Sequence, residues 1–385
     1  MSTVLLVTVD LGGNIPPAIG IAAELARRGH RVVVHADPPV RDRAVAAGCD
    51  FRPAAGVSYD PLVARGTVRT LREITRLFAD RSRGRSAVEA ARSVGADVVL
   101  VDALLLGAAA EVEAAGLPTV LLGHTTWEYL RRNFGPGPVG ALLRLRGAAP
   151  MPIVEAASRV LLLTDRTLDP AEPLPGNAVR VGAVLQDGDA ASARGERPTV
   201  LVSLSSIWYP GMREALQRAL DGLAPLPVRL EVTTGRTIAA DTLRIPANAV
   251  VHAFADHAPL LATASAVVGH GGHATTTRAL AHGVPILVLP MHPMLDQPMI
   301  GRAVAASGAG LTLPKSASPE AIRAAVERLL GDPAFARTAA RVGAGLRAHD
   351  GAVAGADEIE RVAARSRPVS LQASSDSPPP LSSSK

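Results

Sequence analysis

Short, uninterrupted apolar runs alternate along the chain with longer Ala-rich stretches of mixed polarity. The first run, VLLVTV at Val4–Val9, leads into a Gly-Gly turn and a stretch that closes on Arg27-Arg28-Gly29. That ending predicts a helix, because cations suit the last turn and glycine the position just past it. RVVVHAD (Arg31–Asp37), ADVVLVD (Ala96–Asp102), TVLL (Thr119–Leu122) and RVLLLT (Arg159–Thr164) follow as predicted strands. They are runs rather than alternations, the pattern of strands covered on both faces of a parallel sheet. A polar segment, Gln186–Pro198, reads as a linker, and after it the pattern restarts. TVLVSLS (Thr199–Ser205) precedes a helix at Met212–Leu223, then VRLEVTT (Val228–Thr234), AVVHAF (Ala249–Phe254), AVVG (Ala266–Gly269) and PILVLP (Pro285–Pro290). The fold class expected is α/β, with two Rossmann-like doubly wound domains over residues 1–185 and 199–365. The Ser/Pro-rich tail at 366–385 cannot build a core and is expected to be disordered.

Composition sharpens this picture. A length of 385 residues suits two domains of roughly 100–200 each. With 48% hydrophobic residues wholesale disorder is excluded, and with only 3% aromatics the cores must be Ala, Val and Leu. The single cysteine, Cys49, excludes a disulfide scaffold and fits a reducing cytoplasm, the expected location. A net charge of +5 without a Lys/Arg block argues against a nucleic-acid partner. The opening MSTVLLVTVDLGG lacks a basic n-region and reads as a buried strand, not a signal peptide. The most apolar long stretch, Val98–Leu122, contains Asp102, Glu111 and Glu113, so no membrane span is expected.

Chemistry concentrates between His252 and Gln297, where six of the ten histidines lie. His270, Gly271 and Gly272 fall where a strand meets a helix N-terminus, with Thr275 and Thr276 in the first turn. Free N–H groups and the helix dipole make such a junction an anion site, and His and Thr add donors suited to a diphosphate. Two plainer readings stand beside this one. His270 and His273 could be a metal pair, although no third ligand has a helpful spacing, and the glycines could form an ordinary turn. GxxxxGK[ST] and GxGxxG are both absent, which argues against a P-loop enzyme and weakens a dinucleotide oxidoreductase.

FADHAPLLATASAVVGHGGHATTTRALAHGVPILVLP, followed by DQP, resembles the donor-site signature of the inverting family 1 glycosyltransferases. The likeness is to the bacterial branch that moves sugars onto antibiotic aglycones, of macrolide type among others. It runs from Thr3 to about Arg365 and includes GGNIPPAIGIAAELARRGHRV and DVVLVDALLLGAAAEVEAAGLPTVLLGHTTW. It implies a GT-B fold, an acceptor-binding first domain and a nucleotide-sugar-binding second domain across a cleft. The co-substrate implied is a TDP- or UDP-linked sugar, with no metal and no other cofactor; a homodimer is compatible with the family. His270 and Thr275, with backbone around Gly271, Gly272 and Ala274, would hold the diphosphate, and Ser206 would reach the same phosphates. Phe254 stands at the base-stacking position, with core packing as its other reading, and Ala255 would meet the base through its backbone. Asp296 and Gln297 would grip sugar hydroxyls; Ile15 and Trp127, with Asn14, would border the acceptor.

The sequence departs from the family at four places. Ala274 replaces a usual glycine, Met291–Leu295 carries two extra residues, and Ile300 stands where Asn is common. Most consequentially, the GHxNP motif falls on Gly13-Asn14-Ile15-Pro16-Pro17, so the catalytic histidine position is Asn14. An amide cannot act as a general base, although it can position an acceptor. Asp102 matches the carboxylate that normally orients that histidine. It could take the base role itself, with His124 and Asp10 as the other candidates and turn-capping as the plain reading of all three. The absent histidine implies an acceptor that is not a simple alcohol, or a relocated base. A catalytically silent nucleotide-sugar-binding partner protein and a nucleotide-sugar epimerase of the same fold are the alternative functions. Arg65, Arg69, Arg72 and Arg76 share a helical face and continue to Arg81, Arg83 and Arg85. They read as a solvated face, or as a surface for an anionic acceptor or an acidic partner.

Overall fold

The computed structural model describes residues 1–57, 59–60, 62–63, 66–185, 195 and 197–366. The expected linker at 186–198, except Gly195, Arg197 and Pro198, therefore lies outside the described residues, as do Arg65 and the tail beyond Ser366.

Two all-parallel sheets carry the chain. The first holds β1 (Thr3–Val7), β2 (Arg31–Ala36), β3 (Asp50–Pro53), β4 (Val98–Asp102), β5 (Thr119–Gly123), β6 (Arg159–Leu162) and β7 (Ala178–Arg180), ordered β3-β2-β1-β4-β5-β6-β7. The second holds β8 (Thr199–Ser203), β9 (Arg229–Thr233), β10 (Ala249–His252), β11 (Ala266–Gly269), β12 (Ile286–Val288) and β13 (Gly310–Thr312), ordered β10-β9-β8-β11-β12-β13. Both orders reverse direction beside their first strand, between β1 and β4 and between β8 and β11. Such a switch point opens a crevice beyond the strands' carboxyl ends, where ligands of open α/β sheets bind. The apolar runs explain the central strands: β1, β4, β5, β8 and β11 bury nearly every residue between helices on both faces. This is the two-domain parallel-sheet architecture of GT-B proteins.

One element sits elsewhere than the sequence suggests. The helix Gly351–Ser366 follows the second domain in the chain but packs on the first. Its Ala356, Ile359, Val362 and Ala363 join Ile21, Leu25, Leu100 and Leu161 in one core. Arg28 ties it down from helix Ile15–Arg27 through Asp357 at 2.7 Å and Glu360 at 3.0 Å, and Arg159 meets Glu358 at 2.7 Å. Helix Ile15–Arg27 alone does not cover that face of the sheet, and burying the remaining apolar surface favours the crossing. No helix among the described residues is long and apolar enough to cross a membrane.

Candidate active site between the two domains

The two switch points meet. Gly12, at φ +82°, lies so close to the second domain that a Cβ there would stand 2.9 Å from the Ser206 hydroxyl oxygen. A Cβ on Gly13 would sit 3.8 Å from that of Ala274. Each domain therefore presents its catalytically suited loops to the other.

On the first domain, Asn14 caps the start of helix Ile15–Arg27 and is 2% exposed. Its amide nitrogen donates to the Val9 carbonyl and to Asp102 Oδ2, both at 2.8 Å, and its oxygen accepts from the Leu11 N–H at 3.0 Å. Asp102, at the end of β4, also accepts from the Leu104 N–H through Oδ1 at 3.0 Å. His124, just past β5, places Nδ1 3.6 Å from Asp102 Oδ1 and keeps 15% of its side chain exposed. Asp10 accepts from the Gly12 N–H at 2.9 Å and holds the turn.

On the second domain, Gly271 adopts φ +80° between β11 and helix His273–Ala281. Buried polar atoms without a protein partner gather at this junction: His270 Nδ1, His273 Nε2, and the Thr276 and Thr277 hydroxyls. Leaving such groups unpaired is costly, so their grouping at a helix N-terminus marks a place built for a polar ligand. Burial, then the nearby His257, lowers the His270 pKa to about 4. Burial, then His124, does the same to His273. Both rings are accordingly neutral near pH 7 and can donate through one nitrogen. Thr275 lies in the same first turn, and Phe254, with its ring 74% exposed, follows β10 beside Ala255.

Asp296 joins the halves: the Thr125 hydroxyl donates to its Oδ2 at 2.8 Å. Burial raises its pKa, partly offset by that hydroxyl and by His124. Gln297 is committed to the protein, since its oxygen accepts from the Met291 and His292 N–H groups at 2.7 and 3.0 Å and its amide reaches the Tyr209 hydroxyl. It pins the longer loop at Met291–Leu295, which Lys315 also holds through the Met291 carbonyl at 2.9 Å. Ile300 and Ile15 are core residues.

Trp127 differs from its expectation as an acceptor contact. It is 2% exposed in the first core, and its indole N–H donates to the Pro173 carbonyl at 3.0 Å, so it turns inward. Arg83, grouped in the sequence with a solvated row, is fully buried; it donates to Asp37 at 2.9 Å and to the Val57 and Thr8 carbonyls. Arg69 remains on the surface, paired with Glu73. Tyr209, whose ring centroid is 6.2 Å from that of His270, was not anticipated. Nor was the Ser203–Thr233–His257 group beneath the donor junction, linked by bonds of 2.7 and 3.3 Å. The density of histidines from His252 onward was the signal for His257. Among the described residues no group of three or more His, Cys, Asp or Glu is placed to hold a metal ion.

Residues 217–352 match the family described as erythromycin biosynthesis protein CIII-like, C-terminal domain. A PGL/p-HBAD biosynthesis glycosyltransferase of Mycobacterium tuberculosis strain H37Ra is 27% identical over 315 residues, covering 69% of this chain and 72% of that protein. The elloramycin glycosyltransferase ElmGT of Streptomyces olivaceus is 37% identical over 168 residues, 43% of this chain and 42% of its own. In fold, the calicheamicin glycosyltransferase CalG4 superposes with a TM-score of 0.76 at 22% identity, covering 96% of this chain and 100% of that one. Together these likenesses show the GT-B fold, and the curated relatives the chain resembles are glycosyltransferases, an antibiotic-biosynthesis one among them.

Proposed function

We propose that this glycosyltransferase inverts the sugar it moves, carrying a hexose or deoxyhexose from a uridine or thymidine diphosphate donor to a small natural-product aglycone. The observation that carries the reading is the set of buried, unpartnered polar atoms around His270 and His273, placed across the cleft from Asn14 and Asp102. In this reading the donor diphosphate fills that junction, with helix His273–Ala281, Thr275 and neutral His270 meeting its charge, Ser206 adding a hydroxyl, and Phe254 offering its face to the base. Fixed donors aimed at developing charge are commonly a large catalytic contribution, and here they stabilise the departing diphosphate. The sugar lies toward Asp296, and Asn14, which keeps its amide on Asp102, forms part of the acceptor floor.

In this reading the acceptor attacks the anomeric carbon from the face opposite the departing diphosphate, a single displacement, which inverts the configuration. No metal takes part in this reading, and EDTA leaves turnover unchanged. The test is mass spectrometry of the protein incubated with UDP- and TDP-sugars and a panel of aromatic and macrolide aglycones, with product anomers assigned by NMR. Transfer with retained configuration, or no donor consumption at all, overturns the proposal. The fixed amide at Asn14 favours one competing reading, a silent nucleotide-sugar-binding partner; that protein would bind nucleotide and never turn it over.

A further inference from the structure

Replacement of the usual histidine by Asn14 leaves open which group accepts the acceptor's proton. Three candidates end near the cleft, and their hydrogen bonds separate them. Asp10 is spent on its own turn, accepting from the Gly12 N–H. Asp102 is 3% exposed, and both its oxygens are engaged: Oδ2 by Asn14 at 2.8 Å and Thr8 at 3.5 Å, Oδ1 by the Leu104 N–H at 3.0 Å. With both oxygens committed and almost no exposed surface, this carboxylate is poorly placed to reach an acceptor hydroxyl. His124 is different. It retains exposed ring surface, and its Nδ1 faces Asp102 Oδ1 at 3.6 Å. Its charged and titratable neighbours come from both walls: Asp102 from its own domain, His273 and Asp296 from the other. Thr125, the next residue, is fastened to Asp296 across the cleft, which fixes the end of β5 beside the donor domain.

Resting on the glycosyltransferase reading above, we infer that His124 is the general base of this protein, oriented by Asp102, with Asn14 serving to lock that carboxylate. The proton acceptor has moved from the loop after β1 to the end of β5 while keeping the same carboxylate partner. In the step, the acceptor hydroxyl gives its proton to the free ring nitrogen of His124 as its oxygen bonds to the anomeric carbon. The bond from that carbon to the diphosphate oxygen breaks, and the electron pair leaves with the nucleoside diphosphate. His124 then returns the proton to water. The 3.6 Å separation closes to a hydrogen bond when the ring becomes cationic, since bonds of this kind are often long before substrate binds.

The experiment compares wild type with His124→Gln and His124→Asn, each checked for an unchanged melting temperature and unchanged UDP and TDP binding. Transfer from UDP- and TDP-glucose is followed from pH 5 to 9 with phenol and 4-nitrophenol as acceptors. A general base is worth roughly 10²–10⁴-fold, so kcat toward phenol falls by that order with little change in KM. The loss toward 4-nitrophenol is smaller, since that acceptor sheds its proton unaided, and the fall in wild-type rate at low pH, where a general base is protonated, disappears in the variants. Equal losses on both acceptors, or an unaltered profile, overturn the inference. A substrate-free readout accompanies these rates: the ring nitrogen NMR shifts of His124, which report an Nδ1–H tautomer facing Asp102 in wild type and change in Asp102→Asn. An unchanged tautomer in that variant also overturns it. Failure of wild type to consume either donor, with nucleotide still bound, overturns instead the transferase reading on which the inference rests.

Discussion

Replacing Gly271 by alanine isolates what the loop between β11 and helix His273–Ala281 requires of its backbone. Gly271 holds φ +80°, a conformation that costs a residue with a Cβ about 1–2 kcal/mol. The added carbon also meets buried neighbours, standing 2.7 Å from Val288 Cγ1 and 3.0 Å from the Gln297 carbonyl oxygen. Val288 is fully buried in β12, and Gln297 both starts helix Gln297–Ser307 and pins the Met291 loop, so neither yields freely. Overpacking of this kind costs about 1–3 kcal/mol, giving a sum of about 2–5 kcal/mol. At roughly 2–4 °C per kcal/mol, the melting temperature falls by about 4–20 °C. Gly29 supplies a matched control: it holds φ +85° with nothing within 4 Å of a Cβ, so Gly29→Ala bears only the conformational cost. Calorimetric melts of both variants, with titration by UDP and TDP, give the measurement. Gly271→Ala should melt below Gly29→Ala and bind nucleotide at least tenfold more weakly, while Gly29→Ala binds as wild type. Equal melts with intact binding would refute the reasoning.

The buried histidines give a pH signature. His35, His270 and His273 are each lowered from the ordinary 6.5 to about 4, chiefly by burial, so their stabilising neutrality is complete above pH 6.5 and lost as pH falls toward 4. Thermal melts should therefore decline between those values, and a flat profile across them contradicts the assignment. An anion at the donor junction raises the pKa of His270 again, so UDP or TDP binding near pH 5 should take up protons, visible as buffer-dependent heats in calorimetry. Arg83→Met removes a buried guanidinium that bonds the Val57 carbonyl and the part-exposed Asp37, and should cost about 1–3 kcal/mol in denaturant unfolding; a loss below about 0.5 kcal/mol would count against those bonds contributing. Ile359→Ala should cost about 2–5 kcal/mol, felt as unfolding of the first domain although the residue follows the second in sequence. Hydrogen exchange on β1 and β4 reports it.

Nearly all the central strands could be read from their apolar runs, because a strand buried on both faces leaves an unambiguous trace. The three strands missed, β3, β7 and β13, are edge strands of three or four residues with part-exposed patterns, and DFRP or AVR alone carries no such trace. Trp127 and Arg83 show a second limit. Residue type and helical spacing indicate which side chains are large or charged, but not that an indole N–H finds the Pro173 carbonyl or that a guanidinium finds Asp37. The pairing of Asn14 with Asp102 came from the family resemblance, and the structure places Asn14 after the loop that follows β1 and Asp102 at the end of the adjoining β4. The bond from Thr125 to Asp296 was not, because it depends on how two separately folded sheets face each other.

The crossing of helix Gly351–Ser366 bears on the order in which the molecule can be made. Synthesis proceeds from the N-terminus, and domains generally fold as units as they emerge. Here the first sheet is complete once β7 is made, yet part of one apolar face, beside helix Ile15–Arg27, waits for residues 351–366. Throughout translation of the second domain the nascent chain carries that exposed strip, a target for chaperones or for premature association with other chains. The last helix acts as a latch: the first domain becomes fully stable only after the second has been built.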